Sequence, residues 1–170
     1  IREALGNPTQ LLKKGDLAEL ETFQKLNEEG TPDKDKIKDI SGLEYCVNLK
    51  QLNLGWNQIS NIDVLSNLSQ LKELKIWENK ISDITPLINN EGISGAINLK
   101  NNPLSNTALS THIPALEARG IKVEYDMPEG VVLFKDTNLE KAIRDALGIP
   151  TELLKKEDLA KLKELVANDK

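Results

Sequence analysis

Leu49-Lys-Gln-Leu52-Asn-Leu54-Gly-Trp-Asn57-Gln-Ile59-Ser-Asn-Ile62 and Leu71-Lys-Glu-Leu74-Lys-Ile76-Trp-Glu-Asn79-Lys-Ile81-Ser-Asp-Ile84 are two versions of one phrase. With Leu and Ile written alike, both read L-x-x-L-x-L-x-x-N-x-L-x-x-L, and their asparagines stand 79 − 57 = 22 residues apart. Outward from this pair the phrase weakens but continues. Ile97-Asn-Leu99-Lys-Asn-Asn102-Pro-Leu104 is a third copy, arriving one residue late at 102 − 79 = 23. Asp35-Lys-Ile37-Lys-Asp-Ile40-Ser-Gly-Leu43 is the back half of an earlier copy, and Ile121-Lys-Val123-Glu-Tyr125 is a last, partial one. A fixed period of this length is the mark of a stacked repeat.

Each part of the phrase has a physical role. In L-x-L two apolar side chains point to the same side, as a strand with one buried face requires. One short strand per repeat, stacked, gives a parallel sheet, and an α/β solenoid is the expected fold. The asparagine amide can bond the backbone of neighbouring turns where the chain bends inward. The following isoleucines, with Leu65 and Leu87, fill the space behind the strands. A single repeat cannot bury its own face, so both ends need covers. Strands are predicted near 51–54, 73–76, 96–99 and 121–124, with Asn57, Asn79 and Asn102 stacked in register. Residues 105–127 read as a capping repeat that opens with a partly helical stretch, and Gly120 halts that stretch before the last strand. Residues 1–30 read as a helical front cap, from the spacing of Leu11, Leu12, Leu17 and Leu20.

A second, longer repetition organises the ends. Ile1-Arg-Glu-Ala-Leu-Gly-Asn-Pro-Thr-Gln-Leu-Leu-Lys-Lys-Gly-Asp-Leu-Ala-Glu-Leu returns as Ile143-Arg-Asp-Ala-Leu-Gly-Ile-Pro-Thr-Glu-Leu-Leu-Lys-Lys-Glu-Asp-Leu-Ala-Lys-Leu162, 143 − 1 = 142 residues later. The division implied is a repeat domain over 1–130 and, over 131–170, the helical cap of a following unit. Two helices are expected over 134–165, separated near Gly148–Pro150, with Asp136 or Thr137 as N-cap and Gly148 as the stop. The tail is expected to have an apolar side to bury. A swap onto the front of a second molecule is one way to do so. Ile1 as first residue suggests a piece cut from a longer chain, so the lack of a signal peptide excludes nothing.

These residues resemble the internalin-like leucine-rich-repeat proteins of bacteria. The repeat phrase carries the resemblance over residues 35–125. Asn138-Leu-Glu-Lys-Ala-Ile-Arg-Asp-Ala-Leu-Gly, followed by Glu157-Asp-Leu-Ala-Lys-Leu162, is similar to the helical cap that opens such domains. The resemblance implies a curved solenoid, a cell-surface or secreted setting and protein binding on the concave sheet. The chain departs from the family in having few full repeats, which leaves a small concave surface.

Composition narrows the function. Charged residues are 29% and the net charge is −5, with no dense Lys/Arg stripe, which argues against a nucleic-acid or anionic-membrane partner. No apolar run of about 18 residues exists to cross a bilayer. The single Cys46 excludes an internal disulfide, and its place in Leu43-x-x-Cys46-x-x-Leu49, the slot of Leu68 one repeat later, makes it a core residue. His112 is the only histidine and has no partner placed by the sequence, so it reads as structural. Asp33-Lys-Asp35 begins like a calcium loop but lacks the third oxygen ligand and the glycine. The lysine pairs at 13–14 and 155–156 read as solvated helix surface. A non-catalytic module without cofactor or metal is expected.

What remains is surface. The residues between the apolar ones face outward on the sheet: Gln51 and Asn53, Glu73 and Lys75 with Trp77, Asn98 and Lys100, Lys122 and Glu124. Trp56 lies at the strand-to-loop edge. An aromatic at Trp77, where the core needs none, is either an anchor for a protein partner or a plate that packs flat on its neighbours and stiffens the sheet. Two other readings stand beside protein binding: a spacer in a tandem array, and an accessory domain of an enzyme whose catalytic part lies elsewhere.

Overall fold

The computed structural model describes residues 11, 13–150 and 152–162. Five three-residue strands form one parallel sheet in chain order: β1 (Thr22–Gln24), β2 (Gln51–Asn53), β3 (Glu73–Lys75), β4 (Ala96–Asn98) and β5 (Lys122–Glu124). The register aligns Phe23, Leu52, Leu74, Ile97 and Val123, so the first apolar position of every repeat meets its equivalent in the next. The ladder runs on past the strands: Leu54 N donates to Lys75 O (2.8 Å), Ile76 N to Asn98 O (3.0 Å) and Leu99 N to Glu124 O (2.7 Å). Leu52, Leu54, Leu74, Ile76, Ile97 and Leu99 are buried, together with Ile59, Ile62, Ile81 and Ile84 behind them. Each such side chain contributes roughly 1.5–3 kcal/mol of burial. The chain is an α/β leucine-rich-repeat solenoid.

The asparagines form the expected inner column. The Oδ1 atoms of Asn57, Asn79 and Asn102 accept from the backbone N–H of Ile37, Ile59 and Ile81 one turn earlier, at 2.8, 2.9 and 3.0 Å. Their Nδ2 atoms donate to carbonyls of their own turn and of the turn before; Asn79 reaches Ile76 O, Trp77 O and Leu54 O. The residue just before each asparagine is left-handed: Trp56 (φ 57°), Glu78 (φ 51°) and Asn101 (φ 56°). Non-glycine residues rarely adopt this conformation. Here it recurs once per repeat and turns the chain off the strand so that the amide can reach inward.

At the front, among the described residues, Lys14–Ala18 (α1) is helical and Thr22–Gln24 is a strand, so the sheet starts one strand earlier than the L-x-L spacing predicts. The reason is pairing: the edge of β2 offers unpaired backbone groups, and β1 takes them up with Phe23 opposite Leu52. Leu11 is exposed and Leu20 is buried. The rest of the front-cap reading, residues 1–10 and Leu12, lies outside the described residues.

Behind the sheet the chain returns through short helical turns, Leu43–Tyr45, Asp63–Asn67 and Thr85–Asn89 (α2). Each is entered the same way. The side chains of Asp39, Asn61 and Asp83, 22 residues apart, accept from the backbone N–H two residues on, each at 2.8 Å. The capping repeat then makes one π-helical turn (Ala108–His112) and the helix α3 (Ile113–Ala118), and turns at Gly120 (φ 82°) into β5.

Among the described residues the tail holds two helices, α4 (Thr137–Leu147) and α5 (Lys156–Leu159). Asp136 caps α4 by accepting from Asn138 N and Leu139 N, and Gly148 (φ 67°) ends it. A bridge between Val131 and Lys155 ties the two ends of the tail together, and Ile143 and Leu154 are buried. The tail rests on its own solenoid. Leu133 and Leu153 pack against the core, and Asn106 Nδ2 donates to the Glu140 carboxylate, which Arg144 Nε also holds at 2.8 Å. A swap between molecules is therefore not needed to cover the tail's apolar side. Residues 151 and 163–170 lie outside the described residues.

Candidate functional site

Alternation along five aligned strands sorts the outward side chains into rows. The first row is Thr22, Gln51, Glu73, Ala96 and Lys122; the second is Gln24, Asn53, Lys75, Asn98 and Glu124. Gln51 and Lys122 are exposed, and Asn53, Glu73, Lys75, Asn98 and Glu124 are half-buried by one another. The charges on this face are paired within it. Lys75 Nζ lies 2.5 Å from the Glu73 carboxylate and Lys122 Nζ lies 3.0 Å from that of Glu124. The Lys122 ammonium, by hydrogen bond and charge, holds the Glu124 carboxyl below its ordinary range. Asn98 Nδ2 donates to the other Glu124 oxygen at 3.1 Å.

The predicted residues therefore fall into two groups. Gln51, Asn53, Glu73 and Lys75 join Thr22, Phe23 and Gln24 around an open depression of about 470 Å³ over β1–β3. Asn98, Lys122 and Glu124 form a separate salt-bridged cluster over β4 and β5. Thr22 and Gln24 were not foreseen, because their strand lacks the L-x-L pattern; Phe23 is its only apolar residue.

Two residues further along the strands lies a third row, Gly55, Trp77 and Lys100, with Leu26 before it. Trp77 is neither free nor part of the core. It is half-buried because its indole lies across Gly55: a Cβ built on Gly55 would stand 2.6 Å from Trp77 Cε2. Trp56, half-buried, meets the Trp77 ring edge-on, with centroids 5.8 Å apart and planes at 83°. Such pairs contribute about 0.5–1.5 kcal/mol beyond burial. Leu26 is 45% exposed beside them and Lys100 is exposed on the other flank. The signal that could have found this arrangement was in the sequence: Gly55 and Trp77 hold the same repeat position one turn apart, 77 − 55 = 22.

The other chemical candidates sit elsewhere. Cys46 is fully buried, and burial pushes its thiol up from the ordinary value, which suits a core residue. His112 is half-buried on the back of the capping repeat. Asp33 pairs with Lys36 at 3.5 Å, and among the described residues no cluster of three or more potential metal ligands occurs. No helix among those residues is long and apolar enough to cross a membrane.

Comparison with known proteins agrees with this geometry. The model of Leucine Rich repeats (2 copies) matches residues 47–89, the two clearest copies of the phrase. Residues 47–89 therefore carry leucine-rich repeats, and the chain resembles the internalins in fold. An internalin (InlF) from Listeria monocytogenes superposes with a TM-score of 0.57 at 25% identity over 81% of this chain. The chain spans 36% of that protein's chain. A second internalin (InlC2) of the same species matches over 95% of this chain and 86% of its own, at 15% identity and a TM-score of 0.34. No curated protein sequence matches significantly. Leucine-rich repeats of this kind suggest a protein-interaction module.

Proposed function

We propose that the chain is a binding module of a bacterial surface or secreted protein, and that it holds its partner on the sheet face through Gln51, Asn53, Trp56, Glu73, Lys75, Trp77, Asn98, Lys100, Lys122 and Glu124. One observation carries the proposal: an aromatic pair fixed over Gly55 at the edge of a polar, charge-balanced sheet. A rigid aromatic with polar neighbours is the usual make-up of a binding anchor. Residues 131–170 act in this reading as the front cap of a following unit. A spacer role is the second reading. It is favoured by the contact of Asn106 with Glu140, which Arg144 also holds.

The test is a matched pair of variants applied to bacterial and host cell surfaces. Gln51→Arg/Asn53→Arg alters the sheet face, and Asn67→Arg alters an exposed site on the opposite side. Retention of the native protein is expected to fall about tenfold or more with the first and to stay unchanged with the second. Equal retention of all three proteins, or none by any, overturns the binding reading in favour of the spacer.

A further inference from the structure

We propose that the partner is engaged through a neutral oligosaccharide, seated in the depression over β1–β3 with one sugar ring stacked on Trp77. This rests on the reading that the sheet face binds. It adds the chemistry of what is bound.

Size comes first. Five strands at about 4.8 Å spacing and five residues at about 3.3 Å rise cover roughly 400 Å². A stable contact between folded proteins takes about 800 Å² from each partner. The flat footprint of the face is small, and the open depression of about 470 Å³ over β1–β3 falls within the range of small-ligand sites.

Charge comes second. Glu73 and Lys75 neutralise each other across 2.5 Å, so a charged ligand finds its counter-charge already taken. Thr22, Gln24 and Gln51 are exposed, and among the described residues their side chains take part in no hydrogen bond. Hydroxyl and amide groups offer a donor and an acceptor side by side. A sugar hydroxyl also donates and accepts at one atom, and a row of such groups matches a row of hydroxyls.

The indole comes third. Trp77 lies against Gly55 and perpendicular to Trp56, so its orientation is set before any ligand arrives and little side-chain freedom is lost on binding. The negative face of an aromatic ring attracts weakly positive C–H groups, which one face of a pyranose presents in a flat array. Gly55 lies two residues beyond Asn53, about 6.6 Å along the strand. Adjoining rings of one sugar chain therefore reach both the depression and the indole.

The chain has two tryptophans, both at this place, so its emission reports on the site alone. The probes are neutral tetrasaccharides of glucose, galactose, mannose and N-acetylglucosamine, with sialylated and uronic-acid oligomers as the acidic set. At least one neutral oligomer is expected to give a saturable change of emission, with affinity moving less than about twofold between roughly 0.05 and 0.5 M salt. Gln51→Ala/Asn53→Ala, which keeps both tryptophans, is expected to weaken binding about tenfold, as is Trp77→Ala checked for folding by circular dichroism. The proposal fails if no neutral oligomer acts up to about 10 mM, if only acidic ones do, or if the double variant binds as tightly as the native chain. Retention on cells that survives enzymatic removal of glycans, yet is lost in Gln51→Arg/Asn53→Arg, also overturns the sugar while leaving the sheet face as the binding surface.

Discussion

Between Asn57 and Asn79 the chain needs 22 residues to come round, and between Asn79 and Asn102 it takes 23. The shorter turn is closed by leucines: Leu65, Leu68 and Leu71 are fully buried along its back. The longer turn places Asn90 in the slot that Cys46 and Leu68 fill in the turns before it, 22 residues apart in each case, and buries it to 1% exposure. Asn90 donates to Leu65 O and Leu68 O, at 2.7 and 3.0 Å, and accepts from Gly92 N and Ile93 N. Arg119 covers its carbonyl at 2.7 Å. The long turn brings Gly92 N and Ile93 N to the slot, and one polar side chain there accepts from both while donating to carbonyls of the regular turn before it. The two glycines beside it let the longer loop lie flat on the turn before. Side chains at Gly92 and Gly95 would stand 2.4 Å from Ser69 O and 2.2 Å from Lys72 O.

The largest expected effect breaks the long turn. Gly95→Ala drives a methyl into the Lys72 carbonyl at a φ of 80° and should cost roughly 3–5 kcal/mol in urea unfolding. Gly42→Ala has a φ of 100° but open space around it, and should cost only about 1–2 kcal/mol. Similar losses in the two variants would mean that strain, not the close approach, decides. Next, Asn90→Leu gives the long turn the residue of its neighbour. If Asn90 is there to satisfy the backbone, the exchange costs about 1–3 kcal/mol despite the apolar gain, because Gly92 N loses its partner while Ile93 N and the Leu65 and Leu68 carbonyls each keep only one. A stabilised variant would show that the slot is only filled, not used.

The smallest effect sharpens what the regular turns share. The Thr85 hydroxyl, with the backbone N–H of Thr85, holds the Asp83 carboxyl below its ordinary value. A carboxyl lowered on folding stabilises above its unfolded pKa and loses that contribution as pH falls through the lowered one. The contribution is therefore complete at neutral pH and fades below about pH 4. Asp83→Asn copies Asn61 of the turn before. It should flatten the acid limb of the melting profile while moving Tm by no more than about 2 °C near pH 7. An unchanged acid limb would show that Asp83 titrates alike in the folded and unfolded chain.

The legible parts were those encoded by repetition. L-x-L fixed the strands β2–β5, and one asparagine per repeat marked the inner column, because each depends on a residue type at a fixed spacing. β1 was hidden: Phe23 stands 52 − 23 = 29 residues before Leu52, outside the 22-residue period, and its strand exists because an edge was free to pair. The left-handed Trp56 and Glu78 gave no sign, since neither is a residue type that favours that conformation. At the candidate site, alternation along each strand sorts the side chains into inward and outward rows. The partial burial of Trp77 depends on what stands one strand away, which alternation along a single strand does not contain.

The Glu140–Arg144 pair has a further consequence. Its side chains are only 13% and 11% exposed, Arg144 also holds Ile149 O and Glu152 O, and Glu140 reaches across to Asn106. An ion pair so shielded is hard to break one partner at a time. The pair itself lies within the tail, and Glu140 ties it to the solenoid through Asn106 while Leu133 and Leu153 pack on the core, so the tail is seated on the last turn rather than hanging from a free linker.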